Sequence, residues 1–293
     1  MKKSIIIPKQ IVTADTQNRV LREHAIELAD GIISQIIPLK ELKLDSFEGA
    51  IIRYENYTLM PGFVQTHIHL CQTLFRGLAD DMELLDWLQQ KIFPMENFHT
   101  KNSLRSSVQL GINELVSRGT TTIVDMGTLR HQEIVFDELH KSNMRAFAGK
   151  CMIDQNELYS LFCESTEENL KTSYEYAKSF HNSNNGKIKY AFAPRFVLSC
   201  TEKLWRETKE MMKDFNGSFL HTHASENIHE IETVRKLTGK ENIEYFESIG
   251  TLDNHTVLAH CIHLNNDEVN MLKKNDVRVS HCPSSNLKLG SGI

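Results

Sequence analysis

Long apolar runs, basic blocks and paired cysteines are all missing from this chain. No stretch of about 18 consecutive apolar residues occurs, so no membrane-spanning helix is indicated. Met1-Lys2-Lys3 followed by Ile5-Ile6-Ile7 resembles a signal opening, but Pro8-Lys9-Gln10 interrupts the apolar run too early, and a first strand is expected instead. The formal net charge is -5 with no Lys/Arg block, which argues against a nucleic-acid surface because phosphate binding takes clustered cations. A small neutral or weakly charged substrate is the partner left. The six cysteines show no CxxC spacing and are scattered through apolar segments, as free thiols of a cytoplasmic protein would be. There is no Gly-rich phosphate loop, no HExxH and no GxSxG elbow; His131-Gln132-Glu133 imitates HxE, but no Pro-Cys-x-x-Cys follows it.

What is present fits one barrel-sized domain with a small appendage, in 293 residues. Residues 1–58 read as short strands at 5–12, 24–28, 32–37 and 51–54, with Asp30-Gly31 as a two-residue hairpin turn. From Leu59 strand and helix alternate. Strands are expected at 62–67, 121–126, 146–152, 188–193, 218–223, 256–260 and 277–281, and amphipathic helices at 104–117, 133–140, 167–180, 202–215 and 267–274. This alternation predicts an α/β fold, a (β/α) TIM-type barrel over 59–293 with its chemistry at the strand C-termini. Seven strands are legible where a closed barrel needs eight.

Histidines mark those strand ends. Pro61-Gly62-Phe63-Val64-Gln65-Thr66-His67-Ile68-His69 ends in two histidines separated by one residue, and side chains at i and i+2 of a strand leave the same face, so both imidazoles can reach one metal ion. A second HxH, His221-Thr222-His223, ends the fifth strand, and spacing alone lets either histidine be the ligand. Glu226 follows as a proton carrier beside a metal site, or else as a solvated residue opening a helix with Asn227 and Glu230. His260 ends the sixth strand and His281 the seventh. His99, His131, His140, His181, His229 and His255 fall in helical or loop stretches and are expected to be structural, and residues 82–98 read as core or pocket wall.

PGFVxTHxH at 61–69, HxxE at 223–226, AHC at 259–261 and SHCPSSNLKLGSG at 280–292 together resemble the metal-dependent amidohydrolase superfamily, in the branch of guanine deaminases, methylthioadenosine/S-adenosylhomocysteine deaminases and triazine chlorohydrolases. The resemblance covers essentially the whole chain. It implies one divalent metal ion, zinc or iron, on His67, His69 and His223, with Glu226 as proton shuttle, His260 holding the attacking water and His221 outside the ligand set. The implied reaction is hydrolytic deamination of a purine such as guanine or a related aromatic N-heterocycle, with adenosine-type deamination or triazine dechlorination as alternatives. Gln72 and Arg195 match residues that bracket guanine, whereas 76–81, Trp87-Leu88 and Glu96 resemble the adenosine-type branch, where the glutamate reads ribose hydroxyls. Phe196 and His281 complete the expected substrate-binding set. The family's strand-eight aspartate has no counterpart here, the last acidic residue being Asp276. An incomplete chain is therefore expected, with residues 1–58 as part of a small β-sandwich; the rival of another class is an inactive remnant or half-protein. The complete protein is expected to be a homo-oligomer.

Overall fold

The computed structural model describes residues 2–79 and 81–293, so Met1, and Asp80 of the 76–81 motif, lie outside the described residues. The chain divides into two compact units, Met1–Phe63 and Val64–Ile293.

The first unit is a five-stranded sheet built from β1 (Lys3–Val12), β2 (Val20–Arg22), β3 (His24–Ala29), β4 (Ile32–Pro38) and β5 (Ala50–Leu59), in the order β2-β1-β3-β4 with β5 parallel to β1. Alternation along β1 sends Ile5, Ile7 and Ile11 to one buried face. Asp30 and Gly31 both take positive φ (50° and 83°) and close the β3–β4 hairpin with Ala29 opposite Ile32, as the primed turn requires.

The second unit carries β6 (Phe63–Ile68), β7 (Thr120–Asp125), β8 (Arg145–Ala148), β9 (Cys151–Met152), β10 (Ile188–Pro194), β11 (Phe219–Ala224), β12 (Thr256–His260) and β13 (Arg278–Ser280). Seven of them form a sheet in the order β6-β7-β8-β10-β11-β12-β13, with β9 added to β10. Helices alternate with the strands, among them Lys101–Ser117, Gln132–Ser142, Thr166–Phe180, Glu202–Met212, Ile228–Thr238 and Asn266–Lys274. This is a TIM-type barrel of seven strands, curled until Thr66 Oγ1 of β6 stands 2.6 Å from Ser280 Oγ of β13. Side chains such as Ile123, Ile188, Tyr190, Leu220 and Leu258 from the strands meet Val135, Leu139, Trp205 and Phe246 from the helices in one core. Polar caps start the helices where the sequence supplies them: Thr100 with Ser103, Ser165, Thr201, Asn227 with Glu230, and Asn265 with Glu268.

Several expectations change: β2 is not among the expected strands, and the strand expected at 51–54 runs over Ala50–Leu59. The strand expected at 146–152 is broken into β8 and β9, because Gly149 packs so close to β10 that a Cβ there would lie 1.8 Å from the Ala191 carbonyl oxygen. The helix expected to run to 215 ends at Met212. Residues 82–98 do form a wall: Leu84, Leu88, Ile92 and Phe93 are buried with Phe162 and Phe196. All six cysteines are free thiols, and among the described residues no helix is long and apolar enough to cross a membrane.

Candidate active site

The C-terminal ends of the strands surround a cavity of about 700 Å³, and it collects His67, His69, His223, Glu226, His260 and His281 together with Gln72, Arg195 and Phe196. The two HxH pairs face each other across it. One ring nitrogen from each of His67, His69 and His223 lies within 4.8 Å of the others. His223 Nδ1–H donates to the Arg195 carbonyl oxygen at 2.8 Å, which leaves Nε2 as the free lone pair, 3.2 Å from His69 Nε2. That separation suits a shared cation: two nitrogens at 2.0–2.1 Å from a tetrahedral zinc stand about 3.3 Å apart. Burial, reinforced by neighbouring imidazoles and by Arg195, holds His67, His69 and His223 well below the usual histidine range, so all three are neutral donors. The donor set therefore fits a divalent metal ion. Two nearby sets, His67/His260/Cys282 and His69/Cys71/Glu96, also bring potential ligand atoms together, and burial pushes both of their thiols up.

His221 is fully buried, with Nε2 2.9 Å from His67 Nδ1. Of the second HxH, His223 stands in the cluster with His67 and His69, and His221 lies behind His67. Burial takes the pKa of His221 down to about 3.

Glu226 is 4% exposed, which rules out the solvated reading, even though Asn227 and Glu230 do cap the helix Ile228–Thr238 directly after it. Its Oε2 lies 3.4 Å from His260 Nε2, and burial, with the Glu230 carboxylate adding, pushes its pKa up to about 8. His260 is brought down to about 4, chiefly by burial, and its Nδ1–H points at Asn286 Oδ1, 2.8 Å away. Both residues leave their strands through left-handed corners, with φ of 50° at Ser225, 74° at His260 and 50° at Cys261. Such conformations cost about 1–3 kcal/mol each outside glycine and persist where the surroundings fix them. Here the corners are interlocked: Cys261 N–H donates to Ala224 O (2.9 Å), and the N–H groups of Ile262 and His263 donate to Ser225 O (3.0 and 3.2 Å).

Residues that pointed to different substrates converge in one cluster. Gln72 Nε2–H donates to Glu96 Oε1 at 2.8 Å, and the Arg195 guanidinium lies 3.3 Å from the same oxygen and over the Phe93 ring. Glu96 is 2% exposed and sits behind Gln72 and Arg195 instead of lining the cavity. Phe196 is a buried part of the cavity wall, and His281, just past β13, is an exposed part of it. Asp125 was not singled out from the sequence; its place at the end of an apolar strand was the available signal. Its carboxylate accepts from Leu70 N–H (2.8 Å) and Gly127 N–H (3.1 Å), fixing the chain directly after His69, and burial pushes it up to about 7.

Residues 58–293 match the amidohydrolase family. The chain is 35% identical over 263 residues to a 5'-deoxyadenosine deaminase of Methanocaldococcus jannaschii, covering 89% of this chain and 60% of that protein. It is 32% identical over 297 residues to a 5-methylthioadenosine/S-adenosylhomocysteine deaminase of Bacillus cytotoxicus, covering 99% and 66%. Among solved structures, guanine deaminase from C. acetobutylicum, with guanine bound in its active site, superposes with a TM-score of 0.91 at 28% identity, covering 100% of this chain and 70% of that one. The chain thus spans less than two thirds of the length of the two curated relatives.

Proposed function

Because this chain belongs to the amidohydrolase family, we propose that its cavity is the site of a hydrolytic deaminase that releases ammonia from the ring amino group of a purine, with 5'-modified adenosine nucleosides as the preferred class. The observation that carries this reading is the meeting of three neutral imidazoles, Glu226 and His260 at one cavity. A divalent metal ion, zinc or iron, held by His67, His69 and His223, supplies when bound a water of lowered pKa, about 7 for zinc. Glu226 would carry a proton at its carboxylate to a ring nitrogen of the substrate, a task suited to a group whose pKa lies near neutrality. His260 holds the attacking water with Nε2. Leu84, Trp87, Leu88 and Phe196 receive the ring and exclude bulk water.

Guanine is a second reading, favoured by Gln72 and Arg195 lining the cavity while Glu96 does not. Ammonia release from 5'-deoxyadenosine, methylthioadenosine, S-adenosylhomocysteine and guanine separates the two, and the nucleosides are expected to react fastest. Glu226→Gln should keep its metal and lose about 10² to 10⁴ in turnover. Failure to release ammonia from any of these purines, or full activity in the Glu226 variant, would overturn the proposal.

A further inference from the structure

The segment SHCPSSNLKLGSG carries one residue that the proposed chemistry leaves unused. Asn286 lies on the short helix Pro283–Lys288 and is fully buried. Its Oδ1 accepts from His260 Nδ1–H at 2.8 Å, while its Nδ2 has no hydrogen-bond partner among the described residues. An idle buried donor costs about 1–3 kcal/mol, so the residue is poorly explained as structural glue, where a leucine of similar size would do as well. The value of the amide lies in its oxygen. We infer that Asn286 is a positioning residue that fixes the Nδ1–H tautomer and the ring plane of His260, so that Nε2 presents its lone pair toward Glu226 and the cavity.

Local geometry leaves this task to a side chain. The backbone of His260 sits in a left-handed corner with φ of 74°, and one ring face is stacked against His223, contacts that do not select which ring nitrogen carries the proton. A shift of the proton from Nδ1 to Nε2 would turn an N–H toward Glu226, and an acceptor at Nδ1 opposes it. Asn286 is itself anchored. Its backbone N–H donates to Cys282 O, its carbonyl accepts from Ser291 N–H, and Ser291 O in turn lies 2.6 Å from His263 Nε2. The 280–292 segment is therefore fastened by His260 with Asn286 to the end of β12 and by His263 with Ser291 to the turn after it.

This inference rests on the reading of His260 as the residue that holds the attacking water, and the test keeps the two apart. In the metal-loaded protein labelled with ¹⁵N-histidine, with His260 assigned by its loss in His260→Gln, the ring should show the Nδ1–H tautomer. Asn286→Leu should retain metal and lower kcat about 10- to 100-fold with KM changed by less than about threefold, the usual weight of an outer hydrogen-bond partner. Asn286→Asp keeps an acceptor oxygen for Nδ1–H and replaces the idle nitrogen by a second oxygen, so it should recover most of that loss. A structural role predicts the reverse order, with the buried charge of the aspartate worse than leucine. An Nε2–H tautomer in the wild type, or Leu outperforming Asp, would overturn the inference. Should Asn286→Leu not fold, the wild-type tautomer and the Asp variant still decide. If His260→Gln turns over as the wild type does, the proposed function fails while the tautomer measurement stands.

Discussion

β10 and β6 are both apolar strands that end at the cavity rim, yet they are held by different forces. β10 has neighbours on both sides, and Tyr190 and Phe192 are fully buried. β6 pairs with β7 alone among the described residues, and its Phe63 and Val64 are 56% and 57% exposed. Two of the three proposed ligands nevertheless come from β6 and the residue after it. Separate hydrogen bonds do there what burial does in the wall: Asp125 to Leu70 N–H, Ser107 to the Leu70 carbonyl (2.9 Å), His99 Nε2 to the Cys71 carbonyl (2.7 Å), and His221 to His67. The contrast teaches that strand-end histidines can share a centre while standing on strands buried to different degrees, one inside the sheet and the other fastened by hydrogen bonds just past its end.

The sharpest way to break this contrast is a pair of truncations. Phe192→Ala should cost about 3–5 kcal/mol of unfolding free energy, and Val64→Ala less than about 0.5 kcal/mol, in urea titrations of the metal-free protein. Comparable losses at the two positions would show that the edge is packed as the wall is. The polar side is probed by Asp125→Ala, which strands two buried N–H groups at about 1–3 kcal/mol each. Because one of them follows His69, metal should be lost to a chelator at lower concentration than in the wild type. Unchanged chelator resistance would remove Asp125 from the support of the site.

A smaller effect tests how dry the wall is. With its pKa at about 8 in the fold against an ordinary 4.5, Glu226 binds a proton in the folded chain that the unfolded chain releases. Its contribution to stability is fully present below about pH 4.5 and is lost as pH rises through about 8, at up to about 1.4 kcal/mol per pH unit. Glu226→Gln should remove that part of the slope in metal-free protein between pH 5 and 8. Parallel slopes would mean that water reaches the carboxylate.

Most of this architecture was legible in the sequence because its signals are local. The Asp30-Gly31 turn, the strand-to-helix alternation and histidines at strand ends each need only a few neighbouring residues. What escaped depends on distant partners. The break at Gly149 comes from the carbonyl of Ala191, and the burial of Glu96 comes from Arg195, 99 positions away. The helix Ile228–Thr238 was visible only as an alternative to a functional Glu226, although the fold uses both: the cap begins where the carboxylate's own residue ends.

The interlocked corners after β11 and β12 have a mechanical meaning. Three backbone hydrogen bonds tie 261–263 to 224–225, so Glu226 and His260 hang from a common yoke and not from two independent hinges. The three bonds resist displacement of one corner relative to the other, beside the 3.4 Å gap between Glu226 Oε2 and His260 Nε2. A change at Ser225 or Cys261 that relaxed either corner would leave both side chains chemically intact and loosen the spacing between them.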